Sequence, residues 1–151
     1  MRVRAGVILI EDGKVALIER YRAGRHYYVF PGGGAVDGEA PELAAIREME
    51  EETGLRVTVR CKLAEIYFGL STQHYFLAER VGGEYGSGTG EEFTDADPDD
   101  PTEGIYIPVW MSLEELVEHE KVYPADIKEL VLHSRSDGWP EEPVVIVEPI
   151  K

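Results

Sequence analysis

The sequence predicts an α/β or α+β sandwich in which helices cover a sheet. Three observations carry this: short β-branched and aromatic runs bounded by turn formers, segments with helical spacing and capping chemistry, and a length of 151 residues. Such a chain is one domain's worth, residues 1–151, and buries roughly two thirds of its unfolded surface without staples.

The elements follow in chain order. Val3 to Ile10 and Lys14 to Arg22 are strand-like runs on either side of the turn signal EDGK, so they read as a hairpin. RAGRHYYVFPGGGAVDGEAP then packs turn formers around one short aromatic run and reads as a loop. PELAAIREMEEETG has helical character from Pro41, suited to a first helical position, to Thr53, with Gly54 as its stop. Strands are expected at Val57 to Phe68 and His74 to Arg80. Gly82 to Gly104, glycine-rich and acidic, reads as a long loop. IYIPVW resumes an extended run, and SLEELVEH opens with Ser112 as N-cap and Glu115 three residues on. A further helix starts at Pro124 in PADIKELVLHSR, and PVVIVE reads as an edge strand.

Charge narrows the function classes. Acidic residues outnumber basic ones 30 to 15, a formal charge of -15. This disfavours a nucleic-acid backbone or an anionic membrane as the main partner, and a polyanionic ligand would need a local countercharge. The lone cysteine, Cys61, rules out an internal disulfide framework, fits a reducing compartment and reads as a buried or half-buried strand residue. The first apolar run is too short to span a bilayer and precedes no small-residue cleavage pattern, so a cytoplasmic location is expected. His26, His74, His119 and His133 are too scattered to suggest a zinc site.

One stretch is unusual. REMEEETGL, Arg47 to Leu55, crowds four glutamates into five positions, where like charges three and four apart each cost roughly 0.2–0.5 kcal/mol. On a helix Glu48, Glu51 and Glu52 fall within an arc of roughly 100°, and Glu50 projects to the other side. Leu43, Ile46 and Met49 form an apolar row suited to packing on the sheet. Ala44 and Ala45 flank the acidic face with little bulk, so a ligand could approach closely there.

The spacing around this face is specific. Gly33, five residues, Glu39, seven residues, Arg47-Glu48, then Glu51, Glu52, Gly54 and Leu55 would coincide by chance on the order of once in 10⁵ sequences. The pattern resembles the signature of the Nudix hydrolase family, and the match is complete from Gly33 to Leu55. FPGGG leads into it as in many members.

The resemblance implies an α/β/α sandwich with a mixed sheet, hydrolysis of a nucleoside diphosphate linked to another moiety, and a need for Mg²⁺ or Mn²⁺. It implies Glu48 and Glu52 as first metal ligands, Glu51 as a ligand or the base for the attacking water, and the Gly32 carbonyl as a further ligand. Arg47 would orient a glutamate, holding Glu48 or Glu39 bidentately. Gly33 and Gly34 would bring backbone near phosphate. The chemistry suits the crowding, because a divalent cation relieves carboxylate repulsion while neutralising phosphate oxygens.

Outside the motif the reading leaves alternatives. Arg20, Arg22 and Arg25 are suited to phosphate, or are ordinary strand-end charges. Tyr28 and Phe30 are suited to stacking on a nucleobase, or to core packing. Glu91 or Glu92 is a candidate further ligand or general base, or faces solvent. The proline that tends to mark ADP-ribose hydrolases is absent, since Ser71 and its neighbours hold that region. A small-molecule nucleotide is thus the expected partner, including oxidised or noncanonical triphosphates, with a homodimer left open. The alternative function is a non-catalytic Nudix-like sensor, against which the intact motif weighs.

Overall fold

The computed structural model describes residues 2–85 and 105–148. It is a mixed α and β structure built on two sheets. Strands β1 (Arg2–Ile8), β5 (Gly32–Gly34), β6 (Leu55–Phe68), β7 (Ser71–Gly83) and β10 (Val144–Glu148) form the first, in the order β10-β6-β7-β1-β5. This sheet is mixed: β10 runs parallel to β6 and β1 parallel to β7, while β6–β7 and β1–β5 are antiparallel. In the second sheet β3 (Lys14–Arg22) pairs along its length with β8 (Ile105–Ser112). Its other edge is shared by β2 (Ile10–Glu11) and β4 (Arg25–Val29), and β9 (Val122–Tyr123) extends β4 in parallel.

The expected hairpin is only partly formed. Ile10 and Glu11 fold back on Val15 and Lys14, but the run before them crosses to the first sheet. The reason lies in its composition. Val7, Ile8 and Leu9 are all buried, which requires cover on both faces, as a central strand has and a hairpin arm lacks. FPGGG, expected within a loop, supplies β5 instead: Gly34, Gly33 and Gly32 pair with Arg4, Ala5 and Gly6.

Helix α1 (Pro41–Thr53) ends where Gly54 takes a left-handed φ of 85° and donates its N–H to the Glu50 carbonyl. Of the expected apolar row, Met49 and the partly buried Ile46 pack on the sheet and Leu43 does not. Ala44, Ala45 and Met49 are fully buried against Ala5, Val7, Leu55, Val57 and Phe76, whereas Leu43 is 58% exposed. The alanines therefore let the helix approach the sheet, not a ligand approach the helix. The arc containing Ala44, Glu48, Glu52, Ala45 and Met49 is one face, so burying the alanines carries Glu48 and Glu52 inward.

Helices α2 (Leu113–Glu118) and α3 (Ala125–Asp137) cover the other core, where Leu116, Ile127 and Val131 pack with Ile8, Leu17, Leu63 and Ile66. Ser112 caps α2 as expected, its hydroxyl accepting the Glu115 N–H at 3.1 Å. Cys61 is exposed, a correction to its expected burial. Register shifts at Val59/Cys61 and Lys62/Ala64 break the alternation of β6 around it. No helix among the described residues is long and apolar enough to cross a membrane.

Candidate active site

Strand β5 carries no side chains, so the inward edge of α1 fills the space beside it. The Glu48 carboxylate lies where a Cβ on Gly33 would sit, and any larger residue there would overlap it. One turn on, Glu52 is only 4% exposed and accepts the Gly32 N–H at 2.7 Å. A buried carboxylate is tolerated when its charge is met by hydrogen bonds or cations.

Arg47 ties the motif together. Its Nε and Nη2 donate to the two oxygens of Glu39 at 2.9 and 3.0 Å, and Nη2 also donates to the Gly34 carbonyl at 3.0 Å. Its Nη1 donates to Glu48 at 3.0 Å and to both oxygens of Glu51, the nearer at 3.1 Å. The hydrogen bonds from Arg47, then the one from the Val36 N–H at 3.1 Å, hold the Glu39 carboxyl below its usual range. Glu39 in turn is the first cause raising the Arg47 guanidinium above its usual value. The carboxylate crowding is thus met within the chain: one guanidinium contacts three of the motif's glutamates.

Glu48, Glu52 and Gly32 to Gly34 form one side of a cavity of about 490 Å³. Arg4, Arg20, Arg22, Gln73, Tyr75 and Tyr106 are among the residues on its other sides. Strand alternation explains which predicted residues reach it. Arg20 is opposite Tyr27 and Tyr106, and Arg22 opposite Arg25, so these share the cavity-side face of the second sheet. Tyr28 is opposite Glu19 and points the other way, a correction to its expected stacking position. Its hydroxyl donates to Glu19 at 3.3 Å and its ring meets His119 edge-on. Phe30 lines the cavity but is 95% buried in the core.

Arg25 shares the face without lining the cavity and instead lies over Tyr27. Glu51, 41% exposed, is held by Arg47 outside the lining. Glu91 and Glu92 lie outside the described residues. Arg4, Gln73 and Tyr75 escaped the sequence reading, because their strands reach the site only through the β7-β1-β5 order. Among the described residues no three His, Cys, Asp or Glu side chains gather as a metal cage. The donors on offer are hard oxygens, two carboxylates beside glycine backbone, which suits a cation that keeps water and substrate oxygens in its shell.

A family model described as NUDIX domain matches residues 1–132. An ADP-ribose pyrophosphatase of Bacillus subtilis (strain 168) is 31% identical over 127 residues, 80% of this chain and 65% of the relative. An RNA pyrophosphohydrolase of Aeromonas hydrophila is 45% identical over 56 residues, 36% of this chain and 31% of its own length. The chain thus spans less than two thirds of these curated relatives. The crystal structure of a NUDIX hydrolase from Nitrosomonas europaea superposes with a TM-score of 0.71 at 19% identity, covering 97% of this chain and 79% of that one, a likeness of fold.

Proposed function

Because the chain belongs to the Nudix family, we propose that it is a divalent-metal-dependent pyrophosphohydrolase, cleaving a pyrophosphate bond in a nucleoside di- or triphosphate or a nucleoside diphosphate derivative. One observation carries the reading: a single cavity has Glu48 and Glu52 on one side and Arg4, Arg20 and Arg22 on others. An anion is held by the arginines while the carboxylates supply metal and proton chemistry.

Glu48 and Glu52, with the Gly32 carbonyl, would hold Mg²⁺ or Mn²⁺, and Glu51 stands one turn of the helix away. The bound cation would neutralise phosphate oxygens and favour ionisation of the attacking water. The chain's own residues do the positioning. Gly32 N–H fixes the Glu52 carboxylate, and Arg47 fixes Glu48 against a rigid Glu39. Glu48 lines the cavity, whereas Glu51, whose oxygens both face Arg47, stands outside its lining. Residues 1–151 act as one domain in this reading.

The experiment is product release from a panel of nucleoside triphosphates, dinucleotides and nucleoside diphosphate sugars, with Mg²⁺ and with Mn²⁺. Cleavage of a pyrophosphate bond that chelation abolishes supports the proposal. Binding without turnover across the panel would replace it with the sensor alternative.

A further inference from the structure

Three arginines, Arg4, Arg20 and Arg22, line the cavity together with Glu48 and Glu52. In a chain with twice as many acidic as basic residues, 30 to 15, Arg4 and Arg22 make no ion pair among the described residues. Arg20 bonds the Tyr106 hydroxyl and stacks over that ring at 4.0 Å, yet its buried Nε meets no acceptor.

Arg4 also stands beside a second donor, Gln73, across the sheet. Gln73, Arg4 and Gly34 are direct neighbours across β7, β1 and β5. The Tyr75 hydroxyl donates to Gln73 Oε1 at 2.9 Å, which leaves the Gln73 amide nitrogen as the group on offer. At the far end of the row the Gly34 carbonyl already accepts from Arg47. A guanidinium and an amide N–H group side by side match a group that is all acceptor. The row lies on the sheet beside β5, next to the strand whose other contacts are Glu48 and Glu52.

Resting on the pyrophosphohydrolase reading, we propose that Arg4 and Gln73 bind a terminal phosphoryl group next to the diphosphate that meets Glu48 and Glu52, so that the substrate belongs to the nucleoside 5′-triphosphate class. A diphosphate bridging two sugars presents one ionisable oxygen per phosphorus. A terminal phosphoryl presents three acceptor oxygens and about -1.5 to -2 charges, which is what a donor pair beside further unpaired arginines is built to take.

The test compares a nucleoside triphosphate with ADP-ribose, in turnover with Mg²⁺ and in equilibrium binding of a triphosphate analogue with methylene bridges. Wild type should favour the triphosphate in kcat/KM, and R4Q should weaken binding of the analogue about 10- to 100-fold, as expected for loss of a hydrogen bond to a charged group. Its loss on ADP-ribose should be smaller, so the preference shrinks. R135Q makes the same charge change on α3, away from the cavity, and should leave both substrates unaffected. Equal losses on both substrates in R4Q, or a wild type that favours ADP-ribose, would overturn the assignment. If no nucleotide is turned over, the enzymatic reading fails, whereas analogue binding still decides the Arg4 site: unweakened binding in R4Q rejects it.

Discussion

Arg47 meets Glu39 in a two-pronged contact, Nε to Oε2 at 2.9 Å and Nη2 to Oε1 at 3.0 Å, eight residues apart in the chain. The pair joins the loop before α1 to the helix itself. It also locks the guanidinium plane, and that orientation is what aims Nη1 at Glu48 and Glu51.

Arg47→Lys keeps the charge and loses the fork. An ammonium on a flexible stem cannot reproduce the paired bonds to Glu39 while also reaching Glu48 and Gly34. The side chain is 32% exposed, so solvent screens part of the loss, and a destabilisation of about 1–2 kcal/mol is expected. In a domain of this size that is a Tm drop of roughly 2–8 °C. The activity loss should exceed what the stability change explains, because Glu48 loses its orienting partner. A variant with full kcat would separate Arg47 from the chemistry.

The Glu39 contact also has a pH signature. Its folded pKa lies below the usual 4.5 because the Arg47 and Val36 hydrogen bonds favour the charged form. Unfolded Glu39 therefore takes up a proton at higher pH than folded Glu39. The stabilisation is present above the unfolded value and is lost as pH falls through the folded one. Glu39→Gln should melt lower than wild type at pH 7, and the two should converge below pH 4.5. A Tm gap that persists undiminished into acid would show that the contact works through shape and not charge.

Gly33→Ala tests the space beside the motif. Its added Cβ would overlap the Glu48 carboxylate, the movable end of a side chain, so the helix and sheet should keep their places while the carboxylate is displaced. A displacement of about 1 Å at a reacting group costs on the order of 10²-fold. The expected outcome is a kcat lowered by about that factor with little change in Tm. Near-normal turnover would show that the position of Glu48 is not critical.

Local signals were legible in the sequence, and long-range ones were not. The helix from Pro41 to Thr53, its Gly54 stop and the Ser112 cap each depend on neighbours within a few residues, and each appears as read. The spacing from Gly33 to Leu55 likewise located the Glu48, Glu52 and Arg47 cluster. What failed depended on the sheets. Leu43 was placed on the core because it is apolar, yet the small Ala44 and Ala45 are what pack against Ala5, Val7 and Phe76, and Leu43 is left outside. Arg4 and Gln73 are 69 positions apart and meet only because β1 and β7 run parallel in register. Tyr28 needed the pairing of Glu19 with it before its face could be assigned.

The glutamate pair should couple metal to folding. Glu52→Gln keeps an oxygen for the Gly32 N–H, and Glu48→Gln is nearly isosteric, so the double variant should fold. Glu52→Gln alone should already lower kcat about 10²-fold or more. A ligand that binds only the folded state stabilises it by about 2.7 kcal/mol at a hundredfold excess over Kd, a shift of several degrees at this size. Saturating Mg²⁺ or Mn²⁺ should therefore raise the wild-type Tm, and the double variant should lose most of that rise. The comparison is needed because a chain of charge -15 is also stabilised by screening, and screening acts on both proteins alike. Equal shifts in the two would mean that the cation binds elsewhere than at Glu48 and Glu52.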